Sequence, residues 1–357
     1  MKNIAIIYHN ADMDGRLSNG VCRFYLEHNY PEAAIHSYGW DYGRPLPVLI
    51  PLCYVLDERP SKVYWSDYDA IYIVDLSVDE LMARPELRSK VVWIDHHKSA
   101  IEKWDGIYDD HGIPNVSKFN GFRIDGVAAC RLCLQWFTVI HLNNTEGGDV
   151  KFTLPNKQDF IDRKVFEPEL IRLAGEYDCW DHRDPDAKAL QFGLRALGDR
   201  EISKLVRSQF NGGCGGEILL EQAIQTGRSI KSYCDKQNAE YAAAHCHTIK
   251  FHGLTMCALN IGQRGSSDLF NGGIKPEHQA LFAWRHTGDG ETPIYVSLYH
   301  APDHEGIDLS KIASRWGGGG HKGACGFRIR LPALDGILGG FYNSEVDGVL
   351  PVQGGVQ

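Results

Sequence analysis

Three apolar runs of strand length in this chain end abruptly in groups that can bind a cation or move a proton. Ile4-Ala5-Ile6-Ile7-Tyr8 leads into His9-Asn10-Ala11-Asp12-Met13-Asp14-Gly15. Ala70-Ile71-Tyr72-Ile73-Val74 leads into Asp75, and Val91-Val92-Trp93-Ile94 into Asp95-His96-His97. A fourth carboxylate, Asp178, closes a helical stretch. Carboxylates and imidazoles in a set without cysteine suit Mn2+, and also Mg2+, Co2+ or Zn2+, rather than a structural zinc site built from thiolates. The donors outnumber what one ion needs. Two ions roughly 3.5–4 Å apart, bridged by one carboxylate and one hydroxide, would use them all. Such a pair lowers the pKa of the bridging water and neutralises charge developing on phosphoryl oxygens. The chemistry this predicts is hydrolysis of a phosphate ester.

The elements that hold these groups follow from periodicity. The short Ile- and Val-rich runs read as buried parallel strands, with Ala34–Tyr38 as a further one. Leu17, Val21, Phe24, Tyr25 and His28 recur at helical spacing, and Asp125–Ile140 reads as a buried helix. Pro168 sits well as the first residue of a helix that delivers Asp178 at its end. The proline-bearing stretch Trp40–Pro60 reads as a loop. Strand-helix-strand alternation predicts a parallel sheet with right-handed crossovers, and in such sheets ligands bind outside the carboxyl ends of the strands. Further on, Asn211–Gly216 is a hinge candidate and Glu217–His245 a connecting helix. Strands are expected at Thr248–Phe251, Thr255–Asn260, Gln279–Trp284, Ile294–Tyr299 and Phe327–Leu331. A helix is expected at Leu309–Trp316, and the tail past Leu334 reads as loose. The fold class is α/β, in two domains.

At 357 residues, two domains are the default. Hydrophobic content of 43% and charged content of 23% are those of a soluble globular chain. A net charge of -9 argues against coating long nucleic acid, while leaving short phosphorylated substrates open. No apolar run approaches the roughly 20 residues that span a bilayer, and Met1-Lys2-Asn3 enters a strand with no signal-peptide layout. Ten cysteines read as reduced thiols. The expectation is a cytoplasmic enzyme with no membrane partner.

In order along the chain, His9-x-x-Asp12-x-Asp14-Gly15, Asp75 after an apolar strand, Asp95-His96-His97, and Asp178 after a helix resemble the four motifs of the DHH phosphoesterase superfamily. Gly317-Gly318-Gly319-Gly320-His321-Lys322-Gly323-Ala324-Cys325-Gly326-Phe327 looks like the glycine-rich motif of the DHHA1 domain. The resemblance covers roughly residues 3 to 330. Tyr177-Asp178-Cys179-Trp180 and Val296-Ser297-Leu298 point to the branch of nano-RNases and cyclic-nucleotide phosphodiesterases, which is RecJ-like. The resemblance implies a DHH domain over residues 1–205 with a dinuclear metal site, a linker helix over 206–245, a DHHA1 substrate-binding domain over 246–335, and a loose tail over 336–357. It makes His9, Asp12 and Asp75 ligands of one ion, and Asp14, Asp75, His96 and Asp178 ligands of the other, with Asp75 bridging. His97 would face the substrate phosphate, and Asp95 would orient the histidine pair. The implied cofactors are two divalent ions, Mn2+ first, with Mg2+ or Co2+ as substitutes. The implied activity is exonucleolytic hydrolysis of short single-stranded oligonucleotides to mononucleotides. Cyclic or linear dinucleotides are the alternative substrates; polyphosphate hydrolysis and non-catalytic nucleotide sensing rank lower. A homodimer is open as an assembly.

Five of the seven residues from Gly317 to Gly323 are glycine. Successive free N–H groups on glycine backbone make a phosphate nest. Gly318, Gly319 and Gly320, with His321, Lys322 and the preceding Arg315, are therefore substrate-binding candidates, and Arg264 and Ser266 are two more. Two departures from the branch bear on substrate preference: Tyr299-His300 stands where an arginine is often found, and Asp125-Gly126 where a small hydroxyl residue is usual. Cys130-x-x-Cys133 has redox spacing but falls inside an apolar helix, so it reads as core. Trp180 and Trp316 flank site segments and can stack a base.

Overall fold

The computed structural model describes residues 2–42, 45–47, 64–104, 119–145, 151–181, 183–211, 214–262, 267–288 and 291–340. They form two compact units, Met1–Ile230 and Lys231–Gln357. In the first, the order is β1 (Asn3–His9), α1 (Met13–Asn29), β2 (Ala34–Trp40), β3 (Ala70–Val74), α2 (Asp79–Met82), β4 (Val91–Ile94) and α3 (Lys98–Trp104). Helices follow: α4 (Ala129–Thr145), α5 (Lys157–Ile161), α6 (Glu169–Asp178), α7 (Pro185–Arg195), α8 (Asp199–Phe210) and α9 (Cys214–His245), the last continuing into the second unit.

The four strands pair in the order β2-β1-β3-β4, all parallel. The chain leaves β1 toward β2 on one side and returns to β3 on the other, so the order reverses between β1 and β3. A crevice opens at such a reversal, at the strands' carboxyl ends. The register aligns the chemistry there. Tyr8 pairs with Val74 and Val74 with Ile94, so His9, Asp75 and Asp95 each follow one step beyond the last pair. Alternation along the strands fills two cores. Ile4, Ile6, Val74 and Ile94 pack with Leu17, Val21, Leu132, Leu170, Leu190 and Val206, while Ala5, Ile7, Ile71, Ile73, Val91 and Trp93 pack with Tyr38, Tyr68, Leu81 and Phe119.

The second unit contains β5 (His247–Phe251), β6 (Leu254–Asn260), β7 (Ala280–His286), β8 (Ile294–His300), α10 (Ser310–Arg315), β9 (Gly319–His321), β10 (Ala324–Ile329) and α11 (Leu331–Leu338). Its sheet runs β5-β6-β7-β8-β10-β9, mixed, with only β6 and β7 parallel among the described pairs. Both α10 and α11 cover one face through Ile312, Ala313, Leu334 and Ile337. The fold is thus α/β: a parallel sheet flanked by helices, and a second, smaller α/β unit.

Four local expectations shift. The chain past Leu334 continues as helix to Leu338, because Ile337 has a buried apolar face to fill. The last strand begins at Ala324 rather than Phe327, drawn forward by pairing with Gly319–His321. Cys214-Gly215-Gly216 lies inside α9, where a side chain at Gly216 would meet the Ser208 carbonyl oxygen at 2.5 Å; glycine there serves close packing on α8. Pro168 is the residue before α6 rather than its first. Within α4, Cys130 and Cys133 are fully buried, burial pushes both thiols well up, and Cys133 packs 3.7 Å from Cys22, sulfur to sulfur; they are core. Most of the stretch read as a loop after Trp40 lies outside the described residues, as do Arg264 and Ser266. No helix among the described residues is long and apolar enough to cross a membrane.

Candidate metal centre

The turn between β1 and α1 fixes three donors by ordinary helix chemistry. Asp12 caps α1: its Oδ1 accepts the Gly15 N–H at 3.0 Å, and its Oδ2 lies 2.9 Å from His9 Nδ1. Asp14, in the first turn, accepts the N–H groups of Ala129 at 2.7 Å and Cys130 at 2.8 Å. These are unpaired amides at the positive end of α4, a favourable place for a carboxylate. Gly15 has its own reason. A Cβ there would stand 1.9 Å from the His9 carbonyl oxygen, so only glycine lets α1 begin against the end of β1. Gly15→Ala is expected to destabilise the chain by about 3 kcal/mol, the upper end of overpacking costs. The check is a thermal or denaturant melt; a melting point equal to wild type would contradict this contact.

Asp75 sits at φ 62°, in the left-handed region where a residue other than glycine costs on the order of 1–3 kcal/mol. It is 1% exposed, and neither carboxylate oxygen has a hydrogen-bond partner. Oδ2 lies 3.5 Å from His9 Nδ1 and Oδ1 3.2 Å from His96 Nε2, so a single carboxylate reaches two sets of donors.

At the end of β4, residues 120–123 run along the strand's outer side. Trp93 N–H donates to the Asn120 carbonyl at 2.8 Å and Asp95 N–H to that of Phe122 at 3.3 Å. Asp95 is fully buried. Its Oδ1 accepts the N–H groups of His96 at 2.7 Å and His97 at 3.2 Å, and lies 2.7 Å from His97 Nδ1. Because a carboxylate oxygen only accepts, His97 carries a proton on Nδ1 and presents Nε2. Asp95 therefore touches the two histidines and positions them.

The end of α6 brings Asp178, whose Oδ2 lies 3.5 Å from His96 Nε2; Asp14 Oδ2 is 3.7 Å from the same nitrogen. Three clusters of ligand atoms result, each within 4.8 Å: His9, Asp12 and Asp75; Asp75, His96 and His97; His96, Asp178 and Cys179. Cys179 is the residue that sequence reasoning missed, having set sulfur aside; its place directly after Asp178, at a helix end, was the available signal. Trp180 follows at φ 58° and 64% exposed. Tyr42 was also missed. Its ring lies 6.0 Å from that of His9, and its hydroxyl accepts the Ser77 N–H at 3.0 Å.

The charge balance of the cluster favours a cation. Burial pushes Asp75 well above the carboxylate range, and the neighbouring Asp14 and Asp12 add to it. Burial and Asp14 likewise raise Asp178 to about 8. Burial opposes charge on His9 and His96, yet the carboxylates beside His9, and Cys179 and the carboxylates beside His96, outweigh it and lift each to about 10. The cluster is short of positive charge and takes up protons instead. Unpartnered buried oxygens on Asp75, flanked by imidazoles and further carboxylates, are the donor set of a divalent ion, so the residues fit one.

The other sequence candidates lie in the second unit. Arg315, Gly319, Gly320, His321 and Lys322 are exposed, and Gly318 is half-buried. Much of the glycine run has a structural reason. Gly317, at φ 74°, ends α10 with Gly317 N–H to Ser314 O at 3.1 Å and Gly318 N–H to Ala313 O at 2.9 Å, the two bonds of a Schellman cap. A Cβ on Gly318 would meet the Gly326 carbonyl oxygen at 2.0 Å. Gly319–His321 is an edge strand, with Lys322-Gly323 at the turn into β10. Trp316 donates its ring N–H to His252 at 2.9 Å and stacks on Phe327.

No family model and no curated protein matches the sequence. Solved structures similar to the chain include the DHH domain of a member of the s1p family of ribosomal proteins, at 12% identity and TM-score 0.48, covering 92% of this chain and 83% of that one. The exonuclease RecJ bound to manganese is similar at 12% identity and TM-score 0.45, covering 99% and 93%. A pGpG-specific phosphodiesterase from Vibrio cholerae is similar at 12% identity and TM-score 0.43, covering 94% and 95%.

Proposed function

We propose that this chain is a DHH-type phosphodiesterase, dependent on divalent metal, that hydrolyses short single-stranded oligonucleotides to mononucleotides. One observation carries the reading: the buried Asp75 carboxylate, with no hydrogen-bond partner, turns one oxygen to His9 and the other to His96. In this reading His9, Asp12 and Asp75 hold one Mn2+, Mg2+ or Co2+ ion. Asp75, His96 and Asp178 hold a second, with Asp14 beside them. Bound ions supply Lewis acidity and a water acidified for attack on phosphorus. The protein supplies the rest. Asp95 keeps a proton on His97 Nδ1, which leaves Nε2 to meet a phosphoryl or leaving oxygen. Trp180, exposed two residues past Asp178, offers a face to a base, which favours nucleotides over bare polyphosphate. The net charge of -9 favours short substrates over long duplexes. In the second unit, the exposed Arg315, His321 and Lys322 are candidate phosphate contacts.

Metal uptake should depend on pH in one direction. At pH 7 His9 and His96 carry protons, as does most of Asp178, and bound ions must displace them. Affinity for Mn2+ is therefore expected to rise between pH 6 and pH 9, with proton release visible as a buffer-dependent heat in titration calorimetry. An affinity that is flat over that range would count against these ligands.

Function itself is tested by offering the Mn2+-loaded protein a labelled RNA pentamer, a linear dinucleotide, a cyclic dinucleotide and polyphosphate side by side. Stepwise shortening of the pentamer to mononucleotides is the expected result. Turnover of dinucleotides alone would reassign the substrate class within the same chemistry, and turnover of polyphosphate alone would overturn the nucleotide reading.

A further inference from the structure

We infer that Cys179 is a thiolate ligand at the second ion position, which makes the two positions chemically unequal and turns the second toward Zn2+, Co2+ or Fe2+. The inference rests on the metal-centre reading above and adds a donor to it. The sulfur belongs to a built cluster: its Sγ lies within 4.8 Å of ligand atoms of both His96 and Asp178. An ion with ligands at about 2.0–2.3 Å holds them within roughly 4.5 Å of one another, so the group needs little closing. His96 Nε2 is also 3.2 Å from the unpartnered Oδ1 of Asp75. His96, Asp178 and Cys179 form this group from the second residue past β4, the last residue of α6 and the residue that follows it, and Asp75 at the end of β3 approaches it through His96.

Asp14 stands less ready on this side. Both of its oxygens already accept backbone N–H groups of α4, and it is 3.7 Å from His96 Nε2. At the other position, His9, Asp12 and Asp75 offer nitrogen and oxygen alone, a hard set suited to Mn2+ or Mg2+. A thiolate changes the preference at its own position, because soft sulfur binds borderline metals better than hard ones. On binding, the S–H bond breaks, the metal–sulfur bond forms and the proton leaves to solvent, with no change in oxidation state. The competing account is that the thiol only packs beside His96 and donates a weak hydrogen bond.

Cobalt distinguishes the two. The full chain, and its Cys179→Ser and Cys179→Ala variants, would be stripped of metal, loaded with Co2+, and measured by absorption spectroscopy and elemental analysis. The expected result is a near-ultraviolet sulfur-to-cobalt charge-transfer band in the wild type, lost in both variants while the visible ligand-field bands remain. In competition, each variant should also lose at least tenfold in preference for Zn2+ over Mn2+. Cobalt bound without the charge-transfer band, or a band that survives in Cys179→Ser, would overturn the thiolate and leave the metal centre standing. A wild-type chain that binds no ion would overturn both. Unchanged melting of the metal-free variants separates a lost ligand from a lost fold.

Discussion

Asp75→Asn should lower kcat by about 10^3-fold or more, the scale on which a lost preorganised electrostatic contact acts, and should make the metal-free chain melt at a higher temperature. Both effects have one cause. The Asp75 carboxylate is buried with its oxygens unpartnered among other acids, and its backbone occupies the left-handed region. Asparagine keeps the shape and tolerates that backbone, while it removes a charge that burial and the flanking Asp14 and Asp12 disfavour. The fold gains, and the carboxylate that among the described residues is the only one common to two donor clusters is gone. Steady-state kinetics, a melt and elemental analysis of the same preparation give the three readouts. Near-normal turnover with Mn2+ present would sink the dinuclear arrangement.

His97→Ala should lower kcat by about 10^2–10^4-fold, the range of a positioned acid or base, with bound metal unchanged. His97 shares Asp95 with His96, whereas the contact to Asp178 is made by His96. Its loss should leave the ions in place and remove a proton donor. Asp95→Asn is the matching control. An amide in place of the carboxylate no longer holds the proton on Nδ1, so kcat should fall in the same direction with the His97 ring still present. A His97→Ala variant with depleted metal would instead make His97 a ligand in the cluster it forms with Asp75 and His96.

The donors were legible because each stands where a local apolar pattern stops, and strand ends are set by local pattern. Register did the rest: once Tyr8, Val74 and Ile94 are aligned, His9, Asp75 and Asp95 cannot be far apart. What sequence did not show is which atoms meet. Asp14 was read only as a metal ligand, and its two oxygens hold the amides of α4. Asp95 turns inward to the histidine backbone. The glycine run was read for its affinity for anions, whereas Gly317 and Gly318 answer to a helix cap and a neighbouring strand. Cys179 stayed invisible because donor sets are assembled by tertiary contact, and a residue type excluded at the start does not return by spacing alone. The α11 helix was hidden by glycines around it, which obscured the buried pair Leu334 and Ile337.

The all-parallel order β2-β1-β3-β4 also sets when, during folding, the centre can exist. Parallel neighbours cannot be joined by a tight hairpin, so every pairing waits on closure of a long connection. The donors are drawn from residues 9 to 179, and the last pair arrives only with the end of α6. A chain emerging from the ribosome therefore lacks Asp178 and Cys179, and with them the complete centre, until about half of it has been made. Ions captured by this centre stabilise a sheet already in register.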